Sequence, residues 1–165
     1  MTAPAHHWTI VRDGVDKTRL LEQRILEGAL DPAVRDIACR LVQSAPQGAH
    51  LERLERLHRF VRDSPSYQRE AVELFQPARL TLEQGGDCDD LTILLGSLGW
   101  ALRYPFAVEP VGDPLDPRHY SLSLGWPEAD DPIGDARTNW VNTEAAAAVA
   151  FGESSQAAAR RRAVL

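Results

Sequence analysis

Apolar residues in the first part of the chain recur at the three- and four-residue spacing of amphipathic helices. Asp16 and Thr18 offer caps for a first helix. Asp31, which is followed by proline, caps a second helix, and Pro65 closes a third. The positions that we expect to face the core are Leu20, Leu21, Ile25, Leu26, Val34, Ile37, Ala38, Leu41, Val42, Leu51, Leu54, Leu57 and Val61. His58 lies on the apolar side of the third helix, which is more typical of a histidine at the edge of the core than of a catalytic one.

The second half of the chain changes its period. We expect an irregular connection over residues 74–84 and then a long helix whose buried stripe is Leu91, Leu94, Leu95, Leu98 and Leu102. Two-residue alternation follows and predicts strands over residues 106–111 and 119–126. In the second of these, one face consists of Tyr120, Leu122, Leu124 and Trp126, and the other of His119, Ser121 and Ser123. Residues 137–144 are a third strand candidate, and the alanine-rich residues 145–162 are predicted to be helical, with a break near Gly152.

This order of elements, with helices first and strands later, predicts an α+β fold in which a helical N-terminal half packs on a small antiparallel sheet. The 165 residues suit one domain over residues 1–165, with residues 1–15 and 152–165 at its periphery. No segment approaches the roughly 20 apolar residues of a membrane span, and a signal-peptide pattern is missing, so we expect a cytoplasmic protein without membrane contact. With 24 acidic and 18 basic residues, the net charge of −6 argues against nucleic-acid binding.

The two cysteines, Cys39 and Cys88, are too few for a disulfide framework and suit a reducing compartment. Cys39 lies off the apolar stripe of the second helix, so we expect a small, half-buried packing residue. Cys88 lies in the sequence GGDCDD, residues 85–90, where the long helix is predicted to begin. Because three aspartates surround this thiol, the motif has to be compared with metal sites as well as with nucleophile sites.

The spacing around Cys88 does not match a known class of metal site. A calcium loop that began at Asp87 would need glycine at its sixth position and glutamate at its twelfth, where this chain has Thr92 and Leu98. A zinc site would need more thiol or imidazole ligands at short spacing. We therefore expect neither a metal nor another cofactor.

A nucleophile fits the position of Cys88 better. The first turn of a helix presents unpaired N–H groups and the positive end of the helix dipole, which favour a thiolate and can hold an oxyanion. We expect Asp87, with Asp89 or Asp90, to cap the helix and brace the turn, and the paired glycines before them to let the backbone approach closely. On this basis Cys88 should react with iodoacetamide faster than Cys39.

A cysteine nucleophile also needs a base and a group that orients the base. His119 opens the second strand on its polar face, and Glu144 ends the next strand candidate. If the two strands pair, their side chains can come within hydrogen-bond reach. The alternatives are a surface histidine and a strand-end carboxylate. Since a strand-end carboxylate contributes little to the core, we expect that replacing Glu144 changes stability little.

Cys88, His119 and Glu144, in this order, resemble the transglutaminase-like superfamily of papain-like thiol enzymes. The residues that carry the resemblance are the GDCDD turn, His119-Tyr120, and Trp140 shortly before Glu144. Gln76-Pro77 and the helical N-terminal half are similar to the compact bacterial and prophage members. The similarity covers residues 17–147 and implies a papain-like core, a Cys-His-Asp triad, a thioester intermediate and no metal requirement.

Two features depart from the family pattern. Glu144 stands in place of the aspartate and is one methylene longer. Ser121 and Ser123 follow His119 where relatives carry more apolar residues.

Gln76 either helps to hold the oxyanion or forms a turn with the proline that follows it.

The resemblance implies acyl transfer from amide or peptide bonds, with Cys88 as nucleophile, His119 as proton carrier and Glu144 as orienting group. Asp87, Asp89 and Trp140 would shape the site. Water as acceptor gives a protease or amidase, and a lysine amine gives a crosslinking transglutaminase. The alternative is a phage or virion-associated assembly protein that reuses the fold as an interaction module. The partner is then a phage structural protein instead of a protein or peptide substrate, and the location is the virion instead of the cytoplasm.

Overall fold

The computed structural model describes residues 14–65, 68, 75–113, 116–127, 138–144 and 151–152. Over these residues the chain forms five α-helices and then a three-stranded antiparallel sheet, which confirms the predicted α+β class. The helices are α1 (Gly14–Leu30), α2 (Pro32–Val42), α3 (His50–Asp63), α4 (Ala78–Gln84) and α5 (Cys88–Ala101). The strands are β1 (Phe106–Asp113), β2 (Asp116–Pro127) and β3 (Thr138–Asn142). Within this described part, no helix has both the length and the apolar character needed to cross a bilayer.

Helix α5 forms the centre of the fold. Its residues 89–99 are all buried, because the other four helices and strand β2 pack against it. Gly99 allows the sheet to come close, since a Cβ at this position would lie 2.8 Å from the Leu124 side chain. The predicted single stripe was therefore too narrow, and Ile93, outside that stripe, is also fully buried.

The starts of α2 and α5 follow the capping residues predicted from the sequence, whereas α1 begins at Gly14, before the predicted caps Asp16 and Thr18. Asp31 accepts hydrogen bonds from the backbone N–H groups of Ala33 (2.8 Å) and Val34 (3.3 Å), as predicted for the start of α2. The prediction of an irregular connection over residues 74–84 is wrong for its second half, which forms α4. A helix of 7 residues is too short to display an apolar repeat.

Most of the predicted core positions are buried, but three expected to be covered are exposed. The buried set includes Leu21, Ile25, Val34, Ala38, Val42, Leu54, Leu57 and Val61. Leu26 and Leu51 are 43% and 51% exposed, and Cys39 is exposed as well. An apolar stripe covers only part of the helix circumference, and these residues lie at its edges or at a helix end, where neighbouring elements do not reach.

Strand β2 lies in the middle of the sheet, between β1 and β3. The predicted alternation in β2 is confirmed: Tyr120, Leu122 and Leu124 are buried, whereas His119, Ser121 and Ser123 are partly exposed. Strand β3 is shorter than predicted, and its last residue, Asn142, pairs with Ser123. The Thr143 N–H then donates to the Leu122 carbonyl at 2.8 Å. The antiparallel direction therefore carries Glu144 toward the His119 end of β2.

The helix predicted over residues 145–162 and the peripheral segments 1–15 and 152–165 lie largely outside the described residues. Residues 151–152 form a turn in which Gly152 has a φ of 83°. This turn falls where the sequence predicted a break in the helix.

Candidate active site

Cys88 is the first residue of α5, directly after a side-chain cap. Asp87 is the N-cap residue, and its Oδ1 accepts from the backbone N–H groups of Asp89 (3.0 Å) and Asp90 (3.3 Å). Asp90 completes a capping box by accepting from the Asp87 N–H at 3.2 Å. The predicted capping role of these aspartates is confirmed, and it fixes Cys88 in the first helical turn.

Asp90 also ties the Gln76 segment to the start of α5. Its carboxylate accepts from the Gln76 backbone N–H (2.8 Å) and from the Gln76 side-chain amide (2.7 Å). Burial raises the pKa of Asp90 to about 6, although the hydrogen bonds from Gln76 act in the opposite direction. Gly86 lies against this group, because a Cβ there would be 2.5 Å from the Asp90 Cβ. The structure thus places Gln76 beside the helix start, with an amide N–H directed at Asp90.

The thiol of Cys88 is half-buried and donates to a carboxylate. Its Sγ lies 3.6 Å from Asp89 Oδ1, and Asp89 itself is buried. Burial, together with the charges of Asp89 and Asp87, raises the pKa of the Cys88 thiol to about 12. The helix N-terminus was expected to favour a thiolate, but burial and the neighbouring carboxylates outweigh it and favour the neutral thiol near pH 7.

His119 and Glu144 form a hydrogen-bonded pair between β2 and the residues after β3. The His119 Nε2–H donates to Glu144 Oε1. The histidine side chain is 22% exposed, whereas the glutamate side chain is fully buried. The bond to Glu144 raises the pKa of His119 against the effect of burial, and the charge of Asp89 adds to the increase. The expected hydrogen bond is present, but Glu144 is a buried residue and not an exposed strand-end carboxylate.

The start of α5 and the His119 end of β2 are connected by packing. Tyr120, the neighbour of His119, packs edge-on against the Phe75 ring with their centroids 6.4 Å apart. Phe75 precedes Gln76, which is bonded to Asp90 on α5. Asp89 influences both the thiol and the imidazole through its charge. Within the described residues, the Cys88 thiol is hydrogen-bonded to Asp89 and not to His119.

Glu144 is held by groups that the sequence did not point to. Its backbone N–H donates to Asn142 Oδ1 at 3.2 Å, and its carbonyl accepts from His58 Nε2 at 3.1 Å. The Asn142 amide also donates to Ser121 Oγ at 2.7 Å. His58 is 1% exposed, so it is buried as predicted, but it lies inside the core and not at its edge. Its contact with Glu144 links residues 86 positions apart, and no local sequence pattern signals such a pairing.

Trp140 is the one predicted site residue that the sheet register separates from the rest. It pairs with Gly125 on β2 and is exposed. Gly125 is six residues from His119, which corresponds to about 20 Å along a strand. The structure therefore brings together Cys88, Asp87, Asp89 and Gln76 at the start of α5, and does not bring Trp140 to His119.

Three side chains at the start of α5 also satisfy a simple distance criterion for metal ligands. Asp87, Cys88 and Asp89 each have one potential ligand atom within 4.8 Å of the others. Asp87 Oδ1 already accepts two helix N–H groups, and a thiol ligand would first have to lose its proton. Since the spacing also fits neither a calcium loop nor a zinc site, we interpret the cluster as a helix cap.

No family model, curated protein or solved structure matches this chain. The resemblance to the transglutaminase-like superfamily therefore stays a sequence-based prediction.

Proposed function

We propose that the protein is a thiol-dependent acyl-transfer enzyme that acts on amide or peptide bonds, with a papain-like arrangement of Cys88, His119 and Glu144. The observation that carries the proposal is the buried carboxylate of Glu144 bonded to the part-exposed ring of His119. Burying a carboxylate is unfavourable unless it is paired. The partner of the Glu144 carboxylate is His119, whose ring is still partly exposed. A partly exposed ring can exchange a proton with a substrate, which a pair that only stabilised the fold would not need.

The tautomer of His119 supports a role as a base. Because Nε2–H donates to Glu144, a neutral ring carries its lone pair on Nδ1. Cys88 holds its proton near pH 7 because its pKa is raised to about 12. The thiol therefore loses its proton during the attack on the carbonyl carbon. It does not transfer the proton to His119 beforehand to form a thiolate–imidazolium pair. As Sγ bonds to the carbonyl carbon, the thiol proton passes to Nδ1 and the C=O electron pair moves onto oxygen.

The backbone at the start of α5 offers a place for that oxyanion. The N–H groups of Asp89 and Asp90 are occupied by Asp87. In this proposal the N–H of Cys88, whose hydrogen bond to its own sulfur lowers the pKa of the thiol, is the donor that turns to the negatively charged oxygen. His119 then returns the proton to the leaving amine as the tetrahedral intermediate collapses to a thioester. Water or an amine cleaves the thioester and restores the thiol.

Labelling with a thiol-reactive peptide probe, followed by mapping of the modified residue, tests the assignment. We expect the peptide part of the probe to direct it to Cys88, so labelling should be retained in Cys39→Ser and lost in Cys88→Ala. Iodoacetamide has no peptide part, so its order of reaction with the two thiols does not test this binding. His119→Ala should slow the labelling of Cys88 by about 100-fold or more if the ring is the base. Equal labelling of both cysteines, or labelling that is insensitive to His119, would contradict the proposal. Product analysis with an added primary amine then separates hydrolysis from crosslinking.

A second candidate is a phage or virion-associated assembly module without turnover. The observation that favours it is the thiol of Cys88, which is bonded to Asp89 and not to His119. Its partner would be a phage structural protein, and its location the virion. Folded protein in which Cys88 reacts with no peptide probe would favour this candidate over the enzyme.

A further inference from the structure

We propose that His58 is a positioning residue that holds Glu144, and through it His119, in place. The inference rests on the proposed function, since it assigns a role within the same site. His58 Nε2 lies 3.1 Å from the Glu144 carbonyl oxygen. A carbonyl can only accept a hydrogen bond, so Nε2 carries the proton and is the donor.

His58 is an unusual member of the face of α3 on which it lies. The other buried residues of this helix, Leu54, Leu57 and Val61, are apolar. A leucine would fill such a face without the cost of burying polar atoms. His58 instead stacks at a tilt on Phe151, with ring centroids 5.5 Å apart, and directs Nε2 at the end of the sheet. The buried histidine thus links α3 to the residue that carries the carboxylate.

Glu144 needs such support because the sheet no longer holds it. Strand β3 ends at Asn142, and the last cross-strand bond comes from Thr143 to Leu122. At Glu144 two side chains replace the ladder: Asn142 accepts from its N–H, and His58 donates to its carbonyl. With both peptide groups fixed, only side-chain rotations remain for placing the carboxylate against His119.

The charges around the two histidines agree with these different roles. Burial lowers the pKa of His58, so the ring stays a neutral donor near pH 7. Arg62 lowers it further, while the carbonyl of Glu144 and the charges of Asp63 and Glu55 act in the opposite direction. The pKa of His119 is raised instead, because it faces the carboxylate of Glu144. Glu144 therefore accepts a hydrogen bond at its backbone carbonyl from the neutral His58. Its carboxylate accepts one from His119, which can hold a proton.

An NMR titration of the His119 ring, combined with steady-state kinetics on a peptide substrate, tests the inference. In His58→Leu we expect the pKa of His119 to fall toward 6.5, and kcat to fall about 10- to 100-fold with KM within about twofold. His58→Gln should retain most of both properties, since its amide nitrogen reaches about as far as Nε2. His58→Asn keeps a polar group but is too short to reach the carbonyl, and it should behave like the leucine variant.

Leu54→Ala is the matched control, because it weakens the same buried face of α3 and keeps the hydrogen bond from His58 to Glu144. It should lower the melting temperature and leave the His119 titration unchanged. An unchanged titration in folded His58→Leu or His58→Asn would overturn the inference. The NMR titration of His119 does not depend on enzyme turnover. It therefore still tests the role of His58 if Cys88→Ala keeps its labelling and so contradicts the proposed function.

Discussion

Cys88 has a carboxylate on either side of it in the chain, and the structure brings both near its sulfur. A helix N-terminus favours a nearby anion by about 0.3–1 kcal/mol at exposed positions. A full negative charge at about 4 Å opposes another by about 4 kcal/mol at an effective dielectric constant near 20. Asp89 and Asp87 therefore outweigh the helix dipole, and burial acts in the same direction. The sequence motif alone had suggested the opposite, because it does not show where the carboxylates point.

This balance predicts the reactivity of the two thiols. In the wild-type protein we expect iodoacetamide to alkylate the exposed Cys39 faster than Cys88 near neutral pH, which reverses the order predicted from the sequence. Asp89→Asn should raise the rate at Cys88 by about tenfold or more, since it removes one of the charges that oppose the thiolate. Time-resolved peptide mass spectrometry measures both sites in one sample. Asp36→Asn on α2 is the control, and an equal increase in that variant would show that the effect is not local.

Replacing Glu144 separates charge from packing. Glu144→Gln should reduce turnover by about 10- to 100-fold, and Glu144→Ala should reduce it more, because the ring then loses its anchor as well as the charge. Because the side chain is buried, Glu144→Ala should also lower the free energy of unfolding by about 1–3 kcal/mol. Turnover and denaturant unfolding measure the two effects. The exposed Glu109 of β1 serves as the control, and unchanged turnover in Glu144→Ala would leave a Cys-His dyad.

At the scale of elements, the sequence predicted what depends on neighbours a few residues apart. The cap of α2 at Asp31 and the alternation of β2 are local patterns, and both are confirmed. Helix α4 was missed because it is too short to show a period. The burial of Glu144 and its contact with His58 depend on how α3 meets the sheet. The element pattern therefore predicts the fold class, but not the support of the site.

The side-chain caps at the starts of α2 and α5 form a matched pair for testing what the start of α5 contributes. Asp87→Ala and Asp31→Ala should each lower the free energy of unfolding by about 1 kcal/mol, because each removes a cap of the same kind. Only Asp87→Ala should also reduce turnover, since it loosens the turn that presents the Cys88 N–H. Asp87→Asn keeps a good cap and should retain the stability. Equal loss of turnover in both alanine variants would assign the effect to stability and not to the site.

At the scale of the molecule, the proposed site combines groups from separate elements. Cys88 comes from the start of that helix, His119 from β2, and Glu144 from the residues after β3, with α3 bonded to the last of these. The positions of these groups relative to one another therefore depend on how the helices and the sheet pack together. The pKa values of Cys88 and His119 therefore depend on the whole fold, and they differ from the pKa values of isolated cysteine and histidine.

The pH dependence of activity follows from this assembled site. His119 has a pKa raised above 6.5, mainly by its bond to Glu144. A protonated ring cannot accept the thiol proton, so kcat/KM should rise as the pH increases through this raised pKa and then level off. A preformed thiolate–imidazolium pair would instead remain active well below pH 6.5. Initial rates from about pH 5 to pH 9 distinguish the two mechanisms.

Two variants determine which charge sets the acidic limb of that profile. Asp89→Asn removes a charge that favours the imidazolium, so the pKa of His119 falls and the limb should move to lower pH. Glu144→Gln removes the larger contribution and should move the limb further in the same direction, with a lower plateau. Glu109→Gln, which alters an exposed residue of β1, should leave the limb in place. A limb that stays at the wild-type pH in both site variants would mean that a group other than His119 accepts the proton.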